Sequence, residues 1–330
     1  MPARRRQRLQ RVVKAFRRRR RLAAQAPQAR PEMVWPARPR TAMRALGFEE
    51  SRKVHHYRVR YASGPLPAYL PQRLRRYYAQ RYTLFSRFDS GVRLDKEMWY
   101  SVTPEPIAYE QASQVAASSR GEIGNIFVDG FCGAGGNSVQ LAAHTRLSGF
   151  VLGVDMKLSR LHATRRHASI YRAGGRVELV LADVRSLSRL LRPGVASGVF
   201  LSPPWADEGL VPHARGAFSV RQMASGLDAA QLLRMALEVA PGAALFLPRV
   251  TRRREVQALA VSARSHVFCQ KHVKLGPGGQ AAKKATAVTC YFGSWARQTQ
   301  SPVSPSPLEL KRKASEDRTG PRKLRRLAQA

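Results

Sequence analysis

Val128-Asp129-Gly130-Phe131-Cys132-Gly133-Ala134-Gly135-Gly136-Asn137 is the stretch that decides how this sequence is read. A short apolar run, 126–128, ends in a carboxylate, passes through a glycine-rich turn and opens a helical stretch at 138–143. Glycine lets a backbone turn sharply and approach a ligand without a Cβ in the way. The spacing differs from G-x-G-x-x-G, the pattern of dinucleotide phosphate sites. An acid ahead of the glycines would also repel a pyrophosphate.

The same strand-then-polar pattern recurs downstream. The run 150–154 ends at Asp155, 177–181 precedes Asp183, 199–201 precedes Ser202, 244–247 leads to Pro248-Arg249, and 288–292 closes the series. Helical stretches such as 228–239 lie between them. Strands alternating with helices predict a parallel sheet covered on both faces. In such sheets ligands bind beyond the carboxyl ends of the strands.

Three carboxylates fall at successive strand ends. Asp129 suits the cationic methionine end of S-adenosylmethionine, Asp155 can accept hydrogen bonds from both ribose hydroxyls, and Asp183 can take the adenine amine. Each aspartate alone could equally be a helix N-cap. Ser202-Pro203-Pro204-Trp205 follows the fourth strand. Its prolines stiffen the turn and leave the Pro203 carbonyl free, since Pro204 has no N–H. Ser202 Oγ and that carbonyl can orient an amine's protons, and Trp205 offers a flat face to a base. A cationic base would favour an indole face in particular.

The chain carries 58 Lys and Arg against 21 Asp and Glu, a net charge of +37, which predicts a polyanionic partner, nucleic acid before an anionic membrane surface. There is no apolar run of about 18 residues, so no transmembrane helix is expected. Cys132, Cys269 and Cys290 are too scattered for a disulfide framework or a zinc site and read as buried free thiols. The histidines lack ligand spacing, and no metal is expected. Residues 1–31 contain no acid and are dense in arginine. They read as a disordered basic tail with import and RNA-contacting roles, ahead of a mitochondrial presequence or a structured basic helix. Prolines at 27, 31, 36, 39, 65, 67 and 71 mark a linker. The 301–307 Ser/Pro stretch leads to Lys311-Arg312-Lys313 and Arg322-Lys323-Leu324-Arg325-Arg326, a two-part import signal. A nuclear site, with nucleolar enrichment as the finer expectation, follows from these tails and from the substrate implied below.

Further blocks make the sequence specific. Tyr78-Ala79-Gln80-Arg81-Tyr82-Thr83-Leu84-Phe85-Ser86-Arg87-Phe88-Asp89, Trp99-Tyr100-Ser101-Val102-Thr103-Pro104-Glu105, Val199-Phe200-Leu201-Ser202-Pro203-Pro204-Trp205 and Phe246-Leu247-Pro248-Arg249 join the glycine loop. Over 75–293 the chain resembles the trimethylguanosine synthase family, which methylates the exocyclic amine of 7-methylguanosine RNA caps. The resemblance implies a Rossmann-like class I methyltransferase, with a doubly wound, seven-stranded, mostly parallel sheet and a small helical N-terminal extension closing the cap site. The expected divisions are a basic tail at 1–70, the extension at 71–120, the core at 121–297, and a linker with basic tail at 298–330.

By the same resemblance Trp205 stacks on the 7-methylguanine, with Ser202 and Pro203 beside the reacting amine. Thr103, Asp129, Phe131 and Asp155 contact S-adenosylmethionine, with Asp183 near its adenine. Gly133, Gly135, Asn137 and Pro204 complete the expected cofactor contacts. Arg76 and Arg249 meet the cap phosphates, a task suited to guanidinium forks. Capped RNA is the implied partner, together with components of RNA–protein particles. Two departures stand out: Trp205 is followed by Ala206-Asp207-Glu208-Gly209 where the family usually has Gly-Gly-Pro, and Lys157 stands where the family often has a second acid. Two rival readings are a base-amine methyltransferase of ribosomal RNA or DNA, and a non-enzymatic RNA-binding protein on the same fold.

Overall fold

The computed structural model describes residues 54–62, 67, 70–118, 126–144, 149–205, 218–276, 279–282 and 284–296. Residues 1–53 of the expected N-terminal tail, the C-terminal basic tail, the Ser/Pro linker and the Ala206-Asp207-Glu208-Gly209 departure lie outside the described residues. Among the described residues eight strands form one sheet: β1 (Val54–Arg58), β2 (Ile126–Asp129), β3 (Phe150–Asp155), β4 (Val177–Leu181), β5 (Gly198–Leu201), β6 (Gly242–Pro248), β7 (Val267–Leu275) and β8 (Ala287–Gly293). Their order is β1-β7-β8-β6-β5-β2-β3-β4. All pairings are parallel except those of β8, which runs antiparallel to β6 and to β7.

The central strands explain why the sheet is covered on both faces. Every residue of β2, β5 and β6 is buried. Successive side chains point to opposite faces, so neighbours divide between two cores. Val128, Leu201, Leu245 and Leu247 meet Leu232, Leu233 and Ala236 of one helix, α8 (Ala229–Val239), which follows the short α7 (Leu187–Leu190) in the chain. Phe127, Phe200 and Phe246 meet Ile107, Val115 and Leu141 on the other side. Those residues come from α4 (Glu105–Ser118) and α5 (Gly136–Ala143). Each fully buried side chain of this size contributes about 1.5–3 kcal/mol.

A third apolar cluster belongs to the N-terminal segment, α1 (Gln72–Ala79), α2 (Arg81–Leu84) and α3 (Met98–Ser101). Leu74, Leu84, Phe85, Met98 and Trp99 close around Ala134 of the glycine turn. Ala163, Ile170 and Tyr171 pack against them. The first two of these belong to α6 (Leu158–Ile170).

The sheet has one strand more than the seven expected. Val54–Arg58 falls in a stretch whose prolines read as linker, yet it pairs with β7 along its whole length. Its sequence, Val-His-His-Tyr-Arg, buries only Tyr57. The strand is specified by its partner: His55 Nδ1 lies 3.1 Å from His272 Nδ1, and Tyr57 donates to Thr286 Oγ1 at 3.2 Å. Elsewhere the expected run 177–181 forms β4 at those bounds, the other runs form strands one or two residues longer at their ends, and β7 was not among the expected runs. Asp228 caps α8, accepting from Ala230 N at 2.7 Å.

Candidate active site

The chain leaves β2 towards β3 and β4, then returns to β2's other side as β5, so the switch point of the sheet lies between β2 and β5. Register brings the two loops singled out in the sequence together there. Asp129 is paired with Phe200, and Gly130 N donates to Phe200 O at 2.9 Å. Ser202 stands two residues past Phe200. On the other side Asp129 is paired with Gly153, two residues before Asp155. Asp155 is paired with Leu181, two residues before Asp183. The carboxyl edge of the sheet therefore lines up Asp183, Asp155, Asp129, Ser202 and, past β6, Arg249. This is where a doubly wound sheet holds a ligand.

The glycine turn is fixed from three sides. Gly133 and Gly135 adopt positive φ values of 50° and 81°. A Cβ on Gly135 would sit 2.9 Å from Thr164 Cγ2 and 3.1 Å from Thr164 Cα. Gly133 N donates to Asp155 Oδ2 at 3.0 Å, and Thr164 Oγ1 donates to Gly133 O at 2.8 Å. Asp155 Oδ1 accepts from Lys157 N at 2.9 Å, which leaves lone pairs on both oxygens. Lys157 itself turns away: its ammonium lies 2.8 Å from Glu97 Oε2, where Arg160 also converges.

Asp129 is 1% exposed. Ser138 Oγ donates to its Oδ2 at 2.6 Å, while Oδ1 has no hydrogen-bond partner among the described residues. Burial pushes this carboxyl up to about 6, against the opposing pull of the Ser138 hydrogen bond. A buried acceptor with an open oxygen is costly unless something meets it. A cationic amino group would relieve both the burial and the missing bond, so the residues present fit the methionine end of S-adenosylmethionine.

Asp183 has a different environment. It caps a short 3₁₀ turn, accepting from Arg185 N at 2.8 Å. The Arg185 guanidinium also clasps it, Nε at 2.9 Å and Nη2 at 2.5 Å from Oδ2. Those hydrogen bonds hold the carboxyl below its usual range. A contact with an adenine amine would require this clasp to open. Asn137 is also engaged elsewhere: its amide donates to Gln111 Oε1 at 2.6 Å, and Gln111 Nε2 donates to Thr289 Oγ1 at 2.8 Å. Asn137 thereby ties α5 to α4 and β8.

The N-terminal segment is bound to the same turn. Thr103 is buried, and a Cβ on Gly136 would lie 3.0 Å from Thr103 O. His167, fully buried, bridges the segment and the turn. Its Nδ1 lies 2.7 Å from Ala134 O, and its Nε2 accepts from Arg93 N at 3.1 Å. A carbonyl only accepts and a backbone N–H only donates, so the ring is neutral with its proton on Nδ1. Burial lowers its pKa accordingly. Ser86 N and Oγ donate to Glu105 at 2.6 and 2.8 Å, and Arg87 reaches Ile170 O at 3.0 Å.

Ser202 and Trp205 are half-buried, Pro203 is buried and Pro204 exposed. Trp205 Nε1 donates to Phe246 O at 3.0 Å, and its ring lies 5.3 Å from the Phe246 ring. The indole is thus pinned to β6, three residues before Arg249. Phe131 is half-buried and packs against the β2–β5 core. Arg249 is exposed beyond β6. Arg76 lies exposed on α1, its guanidinium 4.6 Å above its neighbour Tyr77.

Ser138, Thr164, His167 and Gln111 were not singled out by sequence reasoning. A signal existed for two of them: Leu161, Thr164, His167 and Ala168 are the buried stripe of α6, and polar residues on an inward stripe require partners. Among the described residues no group of three His, Cys, Asp or Glu could hold a metal. All three cysteines are buried and free.

A buried carboxylate open to a cation, at the switch point of a doubly wound sheet, defines a class: the S-adenosylmethionine-dependent methyltransferases of Rossmann-like fold. The family model for RNA cap guanine-N2 methyltransferases matches residues 124–295. The trimethylguanosine synthase of Schizosaccharomyces pombe is 32% identical over 193 residues, covering 57% of this chain and 76% of that protein. The trimethylguanosine synthase of Saccharomyces cerevisiae is 30% identical over 180 residues, covering 54% of this chain and 55% of that protein. A solved S-adenosylmethionine-dependent methyltransferase from Agrobacterium tumefaciens superposes at a TM-score of 0.44 with 14% identity, over 59% of this chain and 64% of that one, too loosely to bear on function. The chain belongs to the RNA cap guanine-N2 methyltransferase family. Its activity is S-adenosylmethionine-dependent methylation of the guanine cap.

Proposed function

We propose that the chain methylates the exocyclic 2-amino group of a 7-methylguanosine cap, carrying it towards the 2,2,7-trimethyl form, on small nuclear and nucleolar RNAs or RNAs like them. The observation that carries this reading is the register that sets Ser202-Pro203-Pro204-Trp205 beside Asp129-Gly130, with the indole pinned to Phe246 O. One side of the switch point suits a cationic cofactor. The other suits an amine presented from a flat, cationic base.

In this reading S-adenosylmethionine supplies a methyl group already activated on its sulfonium. Asp129 meets the cofactor's ammonium, Asp155 its ribose hydroxyls, and Phe131, Gly133, Gly135, Thr103 and Pro204 line its path. Asn137 acts by holding α5, and Asp183 reaches the adenine only if Arg185 releases it. Ser202 Oγ and the Pro203 carbonyl accept from the amine's two protons and aim its lone pair. The amine can release a proton after transfer, so Ser202 is an orienting group and not a nucleophile. Positioning of this kind can supply several kcal/mol. Trp205 stacks on the 7-methylguanine, worth about 1–2 kcal/mol when desolvated. Arg249 and Arg76 meet the cap phosphates.

The divisions proposed are a basic tail ending ahead of β1, which belongs to the sheet and so shortens the 1–70 tail expected from sequence, a helical extension closing the cap site at 71–120, the catalytic core at 121–297, and a basic tail at 298–330. A nuclear location, with nucleolar enrichment, fits the substrate and the basic tails, as do components of RNA–protein particles as partners. The test supplies labelled S-adenosylmethionine with GTP, 7-methyl-GTP or uncapped RNA. Label is expected in 7-methyl-GTP alone. Equal labelling of GTP or of uncapped RNA would refute the cap assignment.

A further inference from the structure

α1 sits oddly on the molecule. Of its eight residues only Leu74 is buried, and it contains no acid in its first turn. Gln72, Arg73, Arg75 and Arg76 are all exposed. Elsewhere arginines near an acid are engaged, as Arg160 is by Glu97, Arg185 by Asp183 and Arg221 by Asp228. Arg73 and Arg75 have no such partner among the described residues. Aromatic rings are interleaved with this charge. Tyr77 lies 6.4 Å from Tyr100 of α3, and Tyr100 is 46% exposed. Arg81 lies between the rings of Tyr78 and Tyr82, at 4.4 and 4.6 Å. An exposed tyrosine costs little to bury against a base, and every base offers a stackable face.

The position of this face matters as much as its chemistry. Tyr100 stands three residues before Thr103, whose carbonyl packs on Gly136 of the cofactor turn. The cluster beneath α1 and α3 closes on Ala134 of the same turn. The face therefore lies on the outer side of the segment that packs on that turn.

We propose that Arg73 and Arg75 of α1, together with Tyr77 and Tyr100, form a track for the single-stranded RNA that follows the cap. The arginines neutralise phosphates and the tyrosines stack the first nucleotides. The track makes the RNA body, as well as the cap, part of what the enzyme selects. This inference rests on the cap reading above.

The test compares the full chain with Arg73→Gln/Arg75→Gln and with Tyr100→Ala, residues outside the proposed cap and cofactor contacts. The rate is measured with 7-methyl-GTP and with a short 7-methylguanosine-capped single strand. Wild type is expected to show the higher kcat/KM on the capped strand. Both variants are expected to keep their rate on 7-methyl-GTP and to lose kcat/KM on the strand through KM, Tyr100→Ala by about tenfold, as removal of one stacked base does. The salt slope of strand affinity should also fall by about 1.4 in the double variant, the value for two phosphates no longer neutralised on a single strand. Uncapped single-strand affinity, read by fluorescence anisotropy in about 0.3 M salt, separates this face from general basic attraction, because charge contacts weaken there while stacking persists. Unchanged affinity and unchanged preference for the strand would overturn the track. An equal loss on 7-methyl-GTP would overturn it too, placing these residues in the cap pocket or the fold. If wild type labelled no cap while the variants still lost strand affinity, the track would stand and the cap reading would fall.

Discussion

Asp129→Asn separates the cofactor's requirement for a charge from the fold's objection to it. The carboxyl is buried, one oxygen is open, and its pKa stands at about 6 against an ordinary 3.8. At 1.36 kcal/mol per pH unit, that gap corresponds to about 3 kcal/mol of strain once the group is ionised. The sign follows from the direction: a folded-state pKa raised above the unfolded one gives stability that is full below pH 3.8 and is lost as pH rises through 6. The amide is isosteric with the neutral acid and keeps an acceptor for Ser138 Oγ. Without cofactor, the variant at pH 7.5 is therefore expected to exceed wild type by about 1–3 kcal/mol, and by about half that at pH 5. With cofactor the variant's lead shrinks to nothing or reverses. Wild type gains about 2.7 kcal/mol at a hundredfold excess over Kd, and the variant gains almost nothing. Urea unfolding at both pH values, with and without S-adenosylmethionine, reads all four numbers. A variant less stable than wild type at pH 7.5 in the absence of cofactor, or one stabilised equally by it, refutes the reasoning.

Three further outcomes are expected. Trp205→Ala should abolish transfer to 7-methyl-GTP while leaving the cofactor-induced stabilisation intact; loss of both in parallel would make the indole a structural post between the two cores. Ser202→Ala should lower kcat by roughly ten- to a hundredfold with cofactor affinity unchanged, the loss of one orienting group, whereas complete inactivity in a folded variant would contradict that role. His167, whose pKa is lowered by burial, should make the protein lose stability as pH falls below about 6.5, opposite in sign to Asp129. His167→Phe should weaken that dependence, leaving the part due to His272, which burial pushes down to about 3, and cost about 1–3 kcal/mol at pH 7.5 for the unpaired Arg93 N–H and Ala134 carbonyl; thermal unfolding across pH 5–7.5 checks it, and an unaltered pH profile would exclude His167 as a source.

The positions of Asp129, Asp155, Asp183 and Ser202 were legible because a strand followed by a polar turn is a local pattern, set by side-chain alternation and glycine or proline chemistry within a few residues. The same locality explains what escaped. β1 carries only Tyr57 as a buried anchor and becomes a strand through β7, more than 200 residues away in the chain. His167 read as one of several scattered histidines, since its two partners come from the N-terminal segment and the glycine turn. Asp183 and Asp129 looked alike in sequence, yet Arg185 clasps one and nothing described meets the open oxygen of the other.

The sequence by itself determined that the chain has strand-end carboxylates on a sheet of alternating strands and helices, a rigid Ser-Pro-Pro-Trp turn after the fourth expected strand, and a charge that attracts polyanions. Only the tertiary structure decided which carboxylate is buried with an open oxygen, that the indole is tethered to Phe246 O, and that the N-terminal segment packs on the glycine turn. The physical reason is range. Backbone conformation and alternation are settled by near neighbours, whereas desolvation, hydrogen-bond satisfaction and charge pairing depend on groups that only packing brings within a few ångströms.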